Sequence, residues 1–166
     1  MKYLKSVGIT FAAFWCMAFV YWCISQYCQQ QGFINPLNKT GSVSKQWKEC
    51  KLMRVSKPRP GDIFIILNKD GSGHCGFVER VEGNIIYTIE GNSNEDGSRE
   101  GYEVCRKPGG RPISSITGFI RPVFKVRQVN IKERGVVPLS LYYLLIQNFL
   151  YGTFIRISAR PLFPGL

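Results

Sequence analysis

Histidine is almost missing from this 166-residue sequence: His74 is the only one. Acidic residues are scarce too, with 11 Asp and Glu against 22 Lys and Arg, a net charge of +11. The six cysteines stand at 16, 23, 28, 50, 75 and 105, and the lack of any CxxC pair excludes the zinc and redox patterns built on it. No metal or organic cofactor is expected. There is no internal repeat, which excludes solenoids. There is also no run of five Lys or Arg, no recognition-helix signature and no zinc-finger spacing, so no nucleic-acid partner is expected. The positive excess is diffuse, +6 over 1–122 and +5 over 123–166. It suits a general attraction to polyanions, such as anionic wall polymers or a membrane surface.

What the sequence has in quantity is apolar and aromatic. With 45% hydrophobic and 13% aromatic residues there is ample material for a core, which argues against disorder. The length allows one domain that buries roughly 70% of its unfolded surface. Two uncharged runs are long: 7–24, preceded by Lys2 and Lys5, and 136–155, between Arg134 and Arg156. The first has the length of a signal peptide or a minimal membrane helix. Trp15, Cys16, Trp22 and Cys23 interrupt it, however, and no small-x-small cleavage site precedes Ser25. Trp15 and Trp22 stand where a lipoprotein signal wants a small residue before its cysteine. The second run contains Pro138, Gln147, Asn148 and Gly152, which weaken a bilayer-spanning reading.

Between these runs the punctuation is clear. Lys57-Pro58-Arg59-Pro60-Gly61-Asp62 forbids helix and launches a strand. Five short β-branched or aromatic runs follow, at 63–67, 75–81, 85–89, 102–105 and 116–120, separated by Gly-, Asn- and Pro-rich turns. A helix before and strands after predict an α+β fold. In the central hairpin, a three-residue loop at 82–84 pairs Val81 with Ile85 and Gly76 with Glu90. That register puts His74, Gly76 and Val78 on one face with Thr88, Glu90 and Asn92, and Cys75, Phe77, Val81, Ile85, Tyr87 and Ile89 on the other. A two-residue turn sends Glu90 to the opposite face.

Thiol hydrolysis needs a thiolate, a base within hydrogen-bond reach and a polar group that orients the base. His74 is the only imidazole available, and Glu90 or Asn92 across the hairpin can accept its Nδ1 proton. A nucleophilic thiol belongs where a helix begins, because the helix dipole and an imidazolium lower its pKa. Cys16 fits, heading a stripe of Cys16, Phe19, Val20 and Cys23 at helical spacing. Cys75 is the competitor, but strand alternation turns its sulfur away from His74. Cys23, Cys28, Cys50 and Cys105 read as small buried apolar groups.

These residues carry a resemblance. Trp15-Cys16-Met17-Ala18-Phe19-Val20 with Trp22-Cys23, Pro60-Gly61-Asp62-Ile63, Gly73-His74-Cys75-Gly76-Phe77-Val78, Thr88-Ile89-Glu90-Gly91-Asn92 and Gly118-Phe119-Ile120-Arg121-Pro122 resemble, in order and spacing, the CHAP family. Its members are papain-like cysteine, histidine-dependent amidohydrolases and peptidases that cut peptidoglycan. The resemblance spans about residues 8–122. It implies an N-terminal helix carrying the cysteine, packed on a small antiparallel sheet or half-barrel. It also implies Cys16 as nucleophile, His74 as general base, Glu90 as the orienting carboxylate and Asn92 as a further polar member. Trp15, Gly73 and Gly91 would line the substrate cleft, the two glycines keeping its floor open. Only fourteen mostly apolar residues precede Trp15, where the family usually has a helix and a polar approach.

The expected organisation is therefore a hydrolase domain over 1–122 and a basic, apolar tail over 123–166. The expected activity is cleavage of an amide bond of peptidoglycan, either the muramoyl-alanine bond or one in the stem or cross-bridge, by a secreted or envelope-associated enzyme. The alternative is a non-catalytic membrane-anchored or secreted binding protein with 7–24 as its signal or anchor.

Overall fold

The computed structural model describes residues 2–93 and 103–127. The run at 136–155, with the whole chain beyond Arg127, lies outside the described residues.

The fold is mixed α+β, with an N-terminal helix packed on antiparallel sheet, as the sequence predicts. Helix α1 (Lys2–Ser6) is followed by irregular chain and then by α2 (Cys16–Gln31). The 7–24 run is thus divided, and its helical part is a core element: Met17, Ala18 and Val20 are completely buried. Among the described residues no helix is long and apolar enough to cross a membrane. Gly32 ends α2 in the left-handed conformation (φ 70°), its N–H donating to the Cys28 carbonyl, as C-terminal glycines do. Of the expected stripe, Cys16, Phe19 and Val20 are buried and Cys23 is only half-buried; Met17, Ala18, Ile24 and Cys28 complete the buried side of α2.

Strand β1 (Phe33–Ile34) pairs with β9 (Lys125–Val126). Helix α3 (Val43–Glu49), capped by Ser42, follows, and a short 3-10 turn leads from it into β2 (Arg54–Val55). The main antiparallel sheet is built from β2, β3 (Ile63–Leu67), β4 (Gly73–Glu82), β5 (Ile85–Ser93), β6 (Glu103–Arg106), β7 (Arg111–Pro112) and β8 (Gly118–Ile120). Its order is β2-β8-β3-β4-β5-β6, with β7 also on β5. Two motif blocks far apart in sequence meet at its edge. Asp62, buried, accepts from Arg121 Nε at 2.9 Å and Nη2 at 2.8 Å, and from the Arg59 N–H at 2.8 Å.

One face of the sheet receives α2, with Phe19 edge-on to Phe77 at 6.0 Å. The other face holds a second core of Phe64, Val78, Ile86 and Phe119, with Val55, Ile66, Val81, Ile113 and Ile116 around it. Each fully buried large side chain there contributes about 2–3 kcal/mol.

The hairpin differs instructively from expectation. Its turn is two residues, Gly83-Asn84, and Glu82 pairs with Ile85 and Val81 with Ile86. A bulge between Val78 and Arg80 then shifts the register, so that Val78 pairs with Thr88 and Gly76 with Glu90. The extra residue reverses the alternation once, which restores Glu90 to the His74 face. Val81 packs against the second core, beside Ile86, instead of on the helix side.

Candidate active site

Cys16 is the first residue of α2. The residue before it, Trp15, provides no side-chain cap, so the first N–H groups of the helix lie beside the thiol without a side-chain partner. Their partial positive charge favours an anion. The sulfur is buried, as is nearly all of His74, which enters from the start of β4.

His74 Nε2 lies 2.7 Å from Glu90 Oε2. This differs from the expected arrangement: the carboxylate holds Nε2 and not Nδ1. Glu90 has no exposed surface. Its Oε1 accepts from Thr88 Oγ1 at 2.6 Å and from Arg111 Nε at 2.6 Å, and its Oε2 accepts from Arg111 Nη2 at 2.7 Å. Gly76 makes this possible. A Cβ there would stand 2.5 Å from the Ile89 carbonyl oxygen and 3.1 Å from Glu90 Cγ, so a side chain at the paired position would push the carboxylate out of line.

The electrostatics follow from this packing. Burial opposes ionisation of Glu90, but the hydrogen bonds and charges of Arg111 and His74 outweigh it and hold the carboxyl far below its ordinary range. Burial likewise pulls His74 down, while hydrogen bonds to Cys16 and Glu90 and the charges on both push it up to about 9. Hydrogen bonding with the Cys75 side chain lowers the Cys16 pKa most. Burial raises it, and hydrogen bonding and charge from His74 and the Cys75 N–H lower it further, leaving it well below the ordinary thiol value. Both directions favour a thiolate beside an imidazolium.

The structure brings Cys16, His74 and Glu90 together. Asn92 is buried beside them in sequence, at a second bulge where β5 meets β6, with φ 56°; asparagine adopts that region more readily than most residues. Trp15 and Gly91 pack on one another: a Cβ at Gly91 would meet Phe19 at 2.7 Å and Trp15 at 2.8 Å. The space left by that glycine is filled by the chain's own rings and does not open a cleft floor. Gly73 is closed in the same way, by the Ile66 carbonyl and Val43. The Trp15 ring is stacked by Tyr3 of α1 at 5.1 Å. Cys75, completely buried, lies on the helix side of the sheet, its thiol 3.8 Å from Met17 Sδ. All six cysteines are free, and Cys105, like Cys23, is only partly buried.

Sequence reasoning missed Arg111, Thr88 and the contribution of Cys75. A carboxylate placed on an inward face needs a cation, and that requirement was the one signal for Arg111, without its position. Two concavities, of about 520 and 560 Å³, are lined by Ile34, Leu52, Met53 and Val123 and by Trp47, Arg54, Ile116 and Phe119. Neither includes the site residues, and neither gathers groups suited to catalysis. Among the described residues no cluster could hold a metal ion.

A cysteine at the head of a helix, laid on an antiparallel sheet whose facing strand supplies a histidine, is the arrangement of a papain-like domain. The CHAP domain family matches residues 8–92, which is half of the chain, and the chain belongs to that family. A search of curated proteins found no match. The family acts hydrolytically on the cell wall, as peptidoglycan amidases and peptidases, which is compatible with a secreted or envelope setting.

Proposed function

We propose that this chain hydrolyses an amide bond of peptidoglycan, with Cys16 as nucleophile, His74 as proton carrier and Glu90 as the group that orients it. The observation that carries the proposal is the line of groups from the head of α2 through His74 to the buried Glu90. From thiolate and imidazolium, attack needs no prior proton transfer. Cys16 Sγ forms a bond to the carbonyl carbon, and the oxygen takes the negative charge beside the uncapped N–H groups of α2. The C–N bond then breaks, its electron pair staying on nitrogen, which takes the proton from His74. The thioester is cleaved by water that gives one proton to the now neutral His74; the carboxylic acid leaves and loses its remaining proton to solvent, and the thiolate and imidazolium are restored. Asn92 is the further polar member beside Glu90, and Trp15 lies next to the nucleophile at the edge of the substrate site. The domain is read as 1–122 with a basic, apolar tail, and the excess positive charge aids contact with anionic wall polymers.

The test is release of soluble fragments from purified peptidoglycan by wild type and by Cys16→Ala, with mass analysis of the new ends. Loss of at least a thousandfold in the variant is expected, and the masses name the bond. Equal release by both, or none by folded wild type, sinks the assignment.

A further inference from the structure

The site described above leaves one charged group unaccounted for. Arg111 comes from β7, which pairs through Ile86 with the far edge of β5. The turn before it packs closely, since a Cβ at Gly110 would stand 2.5 Å from Ile85 and 3.0 Å from the Ile86 carbonyl oxygen. The guanidinium is thereby delivered beside Phe64, 5.5 Å from its ring centre, and forks onto both oxygens of Glu90. The fork geometry fixes the plane of the carboxylate as well as its charge.

We propose that Arg111 is a positioning residue of this site, which keeps the buried Glu90 ionised and aimed at His74 and so maintains the imidazolium that Cys16 needs. The proposal rests on the Cys16–His74 reading given above. The groups facing Glu90 are few. His74 approaches from β4, Arg111 from β7 and the Thr88 hydroxyl from β5 itself; Cys105 of β6 is its register partner. Cys75 on β4 and Cys16 on α2 lie beyond His74 on the helix side. With Arg111 the charges alternate along the line, positive, negative, positive, negative, and sum to zero. Without it they sum to minus one around a carboxylate with no exposed surface, which draws in a proton. Glu90 is the group that takes it, because it loses two of its four hydrogen bonds and has no exposed surface. Neutral Glu90 then no longer supports a charged His74.

The test follows His74, the chain's only histidine, by its imidazole NMR signals through a pH titration. In parallel, the iodoacetamide reaction rate of Cys16 is mapped by mass spectrometry. Arg111→Met is expected to lower the imidazolium to imidazole ratio at pH 8 at least tenfold and to slow Cys16 alkylation at pH 6.5 at least tenfold. Arg111→Lys, which keeps the charge without the fork, falls between. Arg121→Met breaks a comparable pair with Asp62 and should leave both readouts at wild type, and adding Arg111→Met to Glu90→Gln should shift His74 no further. A folded Arg111→Met with an unchanged or raised His74 midpoint overturns the role of Arg111 alone. If that variant does not fold, Arg111→Lys decides: a midpoint below wild type supports the proposal and one at wild type overturns it. Wild-type His74 titrating near 6.5, with Cys16 no faster than the other thiols, overturns the underlying reading and this proposal together.

Discussion

Replacing Glu90 by glutamine keeps the shape of the side chain and removes its charge, and the size of the effect can be worked from the site. His74 is raised from 6.5 to about 9, which is a preference for imidazolium of roughly 300-fold, or about 3 kcal/mol. That figure is what remains after burial has opposed it, and Cys16 and Glu90 share the support. If Glu90 supplies about half, its loss removes roughly 1.5–2 kcal/mol, a ten- to thirtyfold change. The His74 midpoint then falls from about 9 toward about 7.5–8. The sign for stability follows. A group whose pKa is raised on folding stabilises fully below its unfolded value and loses that contribution as pH rises through the folded one. Wild type should therefore lose this contribution between about pH 6.5 and 9, and Glu90→Gln should lose its smaller share at lower pH. An amide also sets a donor against Arg111 and His74, leaving a partly buried cation short of a partner, at a further cost of about 2–4 kcal/mol. Three measurements serve: the NMR titration of His74, urea unfolding at several pH values, and the alkaline limb of kcat/KM on peptidoglycan. A folded Glu90→Gln protein whose His74 still titrates at about 9 would refute the reasoning, since Glu90 could then not be what holds the imidazolium.

Further outcomes follow from the same packing. Cys75→Ala removes the thiol that hydrogen-bonds Cys16, so the acid limb of Cys16 alkylation should move to higher pH, while Cys75→Ser, which keeps a donor, should move it less; equal profiles for all three would show that Cys75 is only packing. Gly76→Ala forces a methyl group against the Ile89 carbonyl and Glu90 and should cost about 1–3 kcal/mol in urea unfolding, with a fall in activity larger than the fraction unfolded explains. Unchanged stability and activity there would mean that the strand pair yields easily.

Much of this protein was legible in the amino-acid order. Cys16 in an apolar helical run, the strand-launching Pro60-Gly61-Asp62 and the β-branched runs after it gave the α+β class and placed a candidate thiol at a helix start, because helix and strand signals are local. His74, the single histidine, was the one candidate imidazole. The pairing of Gly76 with Glu90 was also anticipated, although through a three-residue turn that is not there. The real turn is one residue shorter and the bulge near Glu79 makes up the difference, since bulges answer to the fit of the whole sheet and leave little mark in sequence. Tertiary structure alone decided the rest. It alone brought Arg111 across from β7 to clamp Glu90, turned Nε2 and not Nδ1 toward the carboxylate, and laid the Cys75 thiol beside Cys16. It also filled the gaps at Gly73 and Gly91 with the chain's own side chains. Each of these joins residues distant in sequence or depends on which way a ring is turned, and both are fixed by packing: a buried charge must find its partner wherever the fold places one.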